Sequence, residues 1–202
     1  MSGTTNDVRD RRAERHDATR AEIVAAAWEL ARDHGLGDIS LRDLAGRVGM
    51  KAQSIYSYFD SKDAIYDAMF AEGARAFLER SRDAFERRSD SDDLFEVLRD
   101  RAEGFTRFCT DDPVRYQLLF QRPIPGFEPS AEAYAPAVEA LDLLHQRMTR
   151  HGLDDPAVVD LWTALLAGLT DQQISNDPGG DRWLRLVDRA VQMFVDHVTK
   201  GS

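Results

Sequence analysis

With 202 residues, 43% of them apolar, the chain is long enough for one large or two small cores, yet no stretch approaches the ~20 consecutive apolar residues that a bilayer-spanning helix needs. The net charge of −10 argues at first against a nucleic-acid partner, but ten Lys/Arg balance ten Asp/Glu over residues 1–62, and the remaining chain holds the whole surplus. The polar start, Met1 to His16, is no secretory leader, and Cys109, the single cysteine, excludes an intrachain disulfide, so a cytoplasmic protein with no membrane partner is expected.

Apolar residues recur at helical spacing and nothing alternates as a strand would, so the expected class is all-α. Residues 1–16 are polar and of mixed charge and are read as a disordered arm. Thr19 and Glu22 form a capping-box pattern that opens a first helix, with Ile23, Val24, Ala27, Trp28, Leu30 and Ala31 on its apolar face and Gly35 and Gly37 at its end. Ser40 opens a short second helix faced by Leu41, Leu44, Ala45 and Val48, and Gly49 ends it. A third is expected from about Ala52 to Phe59, and Ser61 caps a long fourth reaching about Phe85.

The second half continues in helices. One is expected over Leu94 to Thr110 and another from Pro113 to Phe120; the segment Pro123 to Pro129 is too proline-rich for a helix. The next runs to Arg150, with Pro136 near its start or at a kink. Asp155 and Pro156 make a cap with proline at the first helical position, beginning a helix to about Ser175. After the turn Asp177 to Gly180, a last helix is expected over residues 181–199.

Two short helices joined at a glycine are a helix-turn-helix, in which Ala45 is small enough for a close crossing and Met50 and Ile55 plug the space between. In that motif the second helix enters the major groove. The run Ser54-Ile-Tyr-Ser-Tyr-Phe-Asp-Ser-Lys62, with Gly35, Leu41, Leu44-Ala45 and Val48-Gly49, closely resembles the TetR family of repressors, from about Thr19 to Phe70.

The resemblance implies a three-helix DNA-binding domain over residues 17–62 and a helical-bundle domain for ligand binding and dimerisation over residues 63–202. It gives Tyr56 and Tyr58 to phosphates and domain packing, and Ser54 to a backbone phosphate. Lys62, in the first turn of the long helix, suits a phosphate, and Ser40 is counted among the DNA-binding residues. Base reading falls to Lys51, Gln53 and Ser57, with Ala52 close by; Gln53 leads, since Gln pairs bidentately with adenine and the family often has a small residue there. Arg9, Arg11, Arg12 and Arg15 could enter the minor groove, although Asp7, Asp10 and Glu14 among them favour a solvated tail.

For the C-terminal part the resemblance is architectural. It implies a homodimer through the last two helices, about 156–175 and 181–199, marked by Leu161, Leu165, Leu166 and Leu169 and by Trp183, Leu186, Val187, Ala190, Val191, Phe194 and Val198. A pocket for a small-molecule effector is expected between helices, with candidates Phe105, Phe108, Cys109, Tyr116, Phe120, Met148, Trp162, Gln172, Gln173 and Asn176, although for any single one plain core or surface is the more common role. The expected function is a repressor released from a palindromic DNA operator when the effector shifts the head spacing.

Two alternatives stay open, a DNA-binding regulator without a small ligand and a helical protein-interaction module. An enzyme is disfavoured: His16, His34, His145, His151 and His197 stand in no metal-binding spacing, and there is no GxSxG and no phosphate-binding glycine loop. No cofactor and no metal are expected.

Overall fold

The computed structural model describes residues 4–89 and 92–200, and every regular element among them is helical. Helix α1 covers Thr4–His34. This corrects the expected disordered arm: residues 1–3 lie outside the described residues, but residues 4–16 continue the helix. Thr19 is therefore no cap, and its hydroxyl donates to the Arg15 carbonyl one turn back at 3.0 Å. Periodicity is silent here because residues 11–18 are exposed all round. Only propensity favours the helix, through Ala, Arg and Glu with no Gly or Pro between Thr4 and His34.

Gly35, at φ +91°, ends α1 and leads into a 3-10 turn, Leu36–Asp38. Helix α2 is Leu41–Arg47, and the Ser40 hydroxyl caps it by accepting from the Asp43 amide at 3.1 Å. Its end is a Schellman motif. The Met50 amide donates to the Ala45 carbonyl at 2.8 Å and the Gly49 amide to the Gly46 carbonyl at 3.3 Å, with Gly49 at φ +68°. A Cβ on Gly49 would meet nothing within 4 Å, so Gly49→Ala carries a purely backbone cost. We expect a loss of about 1–2 kcal/mol in urea unfolding; an unchanged midpoint would mean that the turn does not need this conformation.

Helix α3 is Ala52–Ile55, shorter than the expected span to Phe59. The chain tightens after Ile55, whose carbonyl accepts from both the Tyr58 and the Phe59 amides at 2.9 and 3.0 Å. The remaining helices are α4 Lys62–Glu86, α5 Leu94–Asp111, α6 Pro113–Phe120, α7 Ala131–Arg150, α8 Pro156–Asn176 and α9 Val187–Lys200. Side chains of Ser61, Asp93, Asp112, Ser130 and Asp155 cap α4 to α8 in turn. Pro136 lies inside α7 and does not start it.

Helix α9 begins later than residue 181. The Gln173 Oε1 accepts from the Trp183 and Leu184 amides, and Asp177 Oδ2 accepts from Arg182. These bonds hold the approach as a turn and a 3-10 segment, Leu184–Leu186.

Ile23, Ala27 and Trp28 of α1, Leu44 of α2, Ile55 and Phe59 of the α3 region, and Ile65, Met69 and Phe70 of α4 form one buried cluster. That cluster also takes in Leu118 of α6 and Ala133 of α7, so the head is continuous with the body. Helix α7 follows α4 in the same direction, from Asp67 against Ser130 to Arg147 against Phe85. A second cluster joins Leu98 of α5, Trp162 and Leu166 of α8, and Val187, Val191 and Phe194 of α9. No helix among the described residues is long and apolar enough to cross a membrane.

Candidate nucleic-acid interface and interior cavity

The helix-turn-helix uses its apolar side chains internally and leaves its polar ones outside. Ile55 and Phe59 are buried, while Lys51, Ala52, Gln53, Tyr56 and Ser57 are exposed. Tyr56 is a large aromatic, yet 53% exposed. Ser54 and Tyr58 are half-buried beside this row.

Two contacts that sequence reading missed fix the segment. The Arg20 guanidinium lies 4.1 Å over the Phe59 ring and donates to the Tyr58 carbonyl. The His16 ring stacks on Tyr58 at 4.9 Å. Both come from the stretch of α1 around the supposed cap, so the signal was hidden by treating Thr19 as a beginning.

Lys62 and Ser40 have internal partners. Lys62 Nζ donates to the Gly37 carbonyl at 3.1 Å and lies 5.3 Å from the Tyr66 ring centroid, while Ser40 is the α2 cap. The Tyr66 hydroxyl donates to the Leu36 carbonyl at 2.6 Å, so the turn before α2 is tied twice to α4. Arg11, Arg12 and Arg15 are exposed on α1; the side chain of Arg9 lies outside the described residues. Arg47 is held by Asp33 at 2.7 Å and Glu29 at 3.3 Å.

In the body, α4 to α8 line a cleft of about 510 Å³ that opens to the surface beside the exposed Phe120, Tyr134 and Leu141. Of the candidate residues, Phe105, Tyr116, Phe120 and Trp162 line it. The other candidates lie elsewhere. Phe108 and Cys109 pack in a separate small cluster, and burial pushes the Cys109 thiol pKa up. Met148 is core. Gln173 is spent on the α8–α9 turn, and Gln172 and Asn176 bond each other on the surface.

Sequence reading missed the polar wall: Arg80, Ser81, Arg101, Gln121, Thr163 and Asp171. Arg80, Ser81 and Arg101 stand among many charged residues of α4 and α5, and Gln121 follows α6, so no motif marks which polar residue turns inward. Asp171 Oδ1 accepts from the Tyr116 hydroxyl at 2.8 Å and from Gln121 Nε2 at 2.6 Å. Burial, and then this bond to the carboxylate, raises the Tyr116 pKa and keeps the phenol protonated as a donor.

One buried carboxylate joins body to head. Asp112, at the α5–α6 junction and 6% exposed, accepts from Arg32 of α1 at 2.6 Å and from Arg115 at 2.9 Å, and its Oδ1 caps α6. Tyr116 follows Arg115 on α6, so the cavity wall and the α1 tether share one short helix.

The chain matches the model of the bacterial regulatory proteins of the tetR family over residues 23–69. It is similar to the HTH-type transcriptional regulator Mb1846 of Mycobacterium bovis, 31% identical over 120 residues covering 56% of this chain and 49% of that protein. This chain thus spans about half the length of the curated relatives it matches. Its fold is shared with the regulatory protein SCO4313, at a TM-score of 0.73 and 22% identity over 91% of this chain and 98% of that one. It is also shared with FadR of Bacillus subtilis, solved in complex with stearoyl-CoA, at a TM-score of 0.65 and 18% identity over 87% of this chain and 97% of that one.

Proposed function

We propose, from the premise that this chain belongs to the tetR family of bacterial regulatory proteins, that it is a dimeric transcriptional repressor whose head binds a palindromic operator and whose cavity takes a small-molecule effector. The observation that carries this reading is the exposed row Lys51, Gln53, Tyr56 and Ser57 on a segment whose apolar side chains are already consumed by the core. In the proposal Lys51, Gln53 and Ser57 meet base edges, beside Ala52, while Ser54, Tyr56 and Tyr58 position the head on phosphates. Lys62 keeps two N–H donors beyond its bond to Gly37 and Ser40 lies at the α2 N-terminus, so both stay in the phosphate set.

The homodimer would form through α8 and α9. The outer surface there carries Leu161 of α8, Leu186 of the 3-10 segment before α9 and Met193 of α9, at 52%, 38% and 64% exposure. Val187, Ala190, Val191, Phe194 and Val198 are buried within their own chain, which narrows the surface available to a partner. Release would run through α6: an effector pressing on Tyr116 and Phe120 moves the helix that Asp112 ties to α1, shifting the population of head spacings.

The test is selection of bound duplexes from a random-sequence DNA library, followed by titration of the enriched site at several salt concentrations. Enrichment of a two-fold symmetric site, with affinity falling steeply in salt, is expected. Absence of any enriched sequence at low salt would end the repressor reading. With that site in hand, Gln53→Ala should lose about 1–3 kcal/mol of discrimination at one base pair per half-site while the protein's melting temperature holds. Unchanged sequence preference would remove Gln53 from the reading set.

A further inference from the structure

Arg101 lines the cavity from α5, one turn before Phe105, and its Nη1 is shielded from solvent with no hydrogen-bond partner. Among the described residues no acid pairs with it. Asp100 and Glu96, its neighbours on α5, are committed to Arg88 and Arg99. Burial, followed by repulsion from Arg147, lowers the guanidinium pKa to about 10, so it stays charged at neutral pH in a place that disfavours charge.

Arg147 shows how this fold treats an arginine with a purely structural task. It donates to the Phe85 and Arg88 carbonyls and lies 4.3 Å over the Phe85 ring. Among the described residues no carbonyl accepts from Arg101. The other cation on the wall, Arg80, also forms no ion pair among the described residues. The one acid there, Asp171, is already engaged by Tyr116 and Gln121.

We propose that the effector is an amphipathic monoanion, its carboxylate paired with the Arg101 guanidinium and its apolar body laid along Phe105, Phe120 and Trp162. The guanidinium fork matches a carboxylate in two parallel bonds, and a shielded charge without a protein partner is satisfied when the ligand brings one. The volume of about 510 Å³ lies within the range of small-molecule sites, and the wall beyond Arg101 is largely aromatic and aliphatic. This inference rests on the reading of the cavity as the effector site and specifies what that site selects.

The 202-residue chain is titrated with decanoate and with decanol, followed by tryptophan emission, since Trp162 lines the cavity. Decanoate should bind about tenfold or more tightly than decanol, and Arg101→Met should bring the two together by weakening decanoate alone. Arg101→Lys should keep a reduced preference, because a point charge replaces the fork. Unliganded Arg101→Met should melt no lower than the wild type, so loss of binding is not loss of fold. Equal affinities in the wild type, or a preference that survives Arg101→Met, would overturn the inference and leave the cavity as a site for neutral ligands. Failure of both compounds to bind would overturn the cavity reading and the inference with it.

Discussion

Ile55→Ala should destabilise the protein by about 2–5 kcal/mol and abolish recognition of the selected DNA site at protein concentrations where the wild type saturates it. Helix α3 is a single turn, Ala52–Ile55, too short to hold itself together by its own backbone bonds. What orients it is tertiary. Ile55 is fully buried among Leu44, Phe59 and Ile65, and its carbonyl accepts the two amides that close the following turn. Truncating the side chain leaves a cavity under the one element that must present Gln53 and Tyr56 to a groove. Urea unfolding and fluorescence anisotropy on the same samples check this. Tyr56→Ala is the contrast: its exposed ring should change stability by less than about 0.5 kcal/mol while weakening DNA binding. An Ile55→Ala protein as stable as the wild type would show that the recognition segment is not positioned by this contact.

The helix-turn-helix was legible in the sequence because each of its devices is local. Ser40, Gly49 and Ser61 act on amides or carbonyls within a few residues of themselves, and the structure gives them those roles. The helical class was legible for the same reason, since caps and periodicity repeat along the chain. Three features were not. The helix reaches back beyond residue 17, and its residues 11–18 are all exposed, so periodicity had nothing to mark there. The late start of α9 depends on Gln173, ten residues before Trp183, capturing amides that a local reading assigns to a helix. The cavity's polar wall is a matter of which helix faces meet. Arg101 and Asp171 lie on different helices 70 positions apart, and only packing turns both toward one space. The apolar candidates divide between cleft and core because an inward apolar side chain serves equally as a core residue, as Phe108 and Met148 do.

Asp112→Asn should lower stability at neutral pH by about 2–3 kcal/mol and weaken the link between cavity and head. Asparagine still caps α6, so the local helix start survives. What goes is the charge between Arg32 and Arg115, at 2.6 and 2.9 Å. The cost sits toward the lower end for a shielded ion pair because Arg32 is itself 46% exposed. The pH dependence gives an independent check. Burial by itself would raise the Asp112 pKa, but the bonds from Arg32 and Arg115 outweigh it and hold the value below the ordinary 3.8. A carboxylate lowered in the folded state contributes fully above its unfolded value and loses that contribution as pH falls through the folded one. The wild type's advantage over Asp112→Asn should therefore be complete at pH 7 and shrink below about pH 4. Because Asp112 is the ionic tie between α6 and α1, the variant should also bind DNA with less response to any compound that fills the cavity. A variant that loses stability yet releases DNA as readily as the wild type would place the transmission in the shared apolar cluster around Leu118 and Ala133.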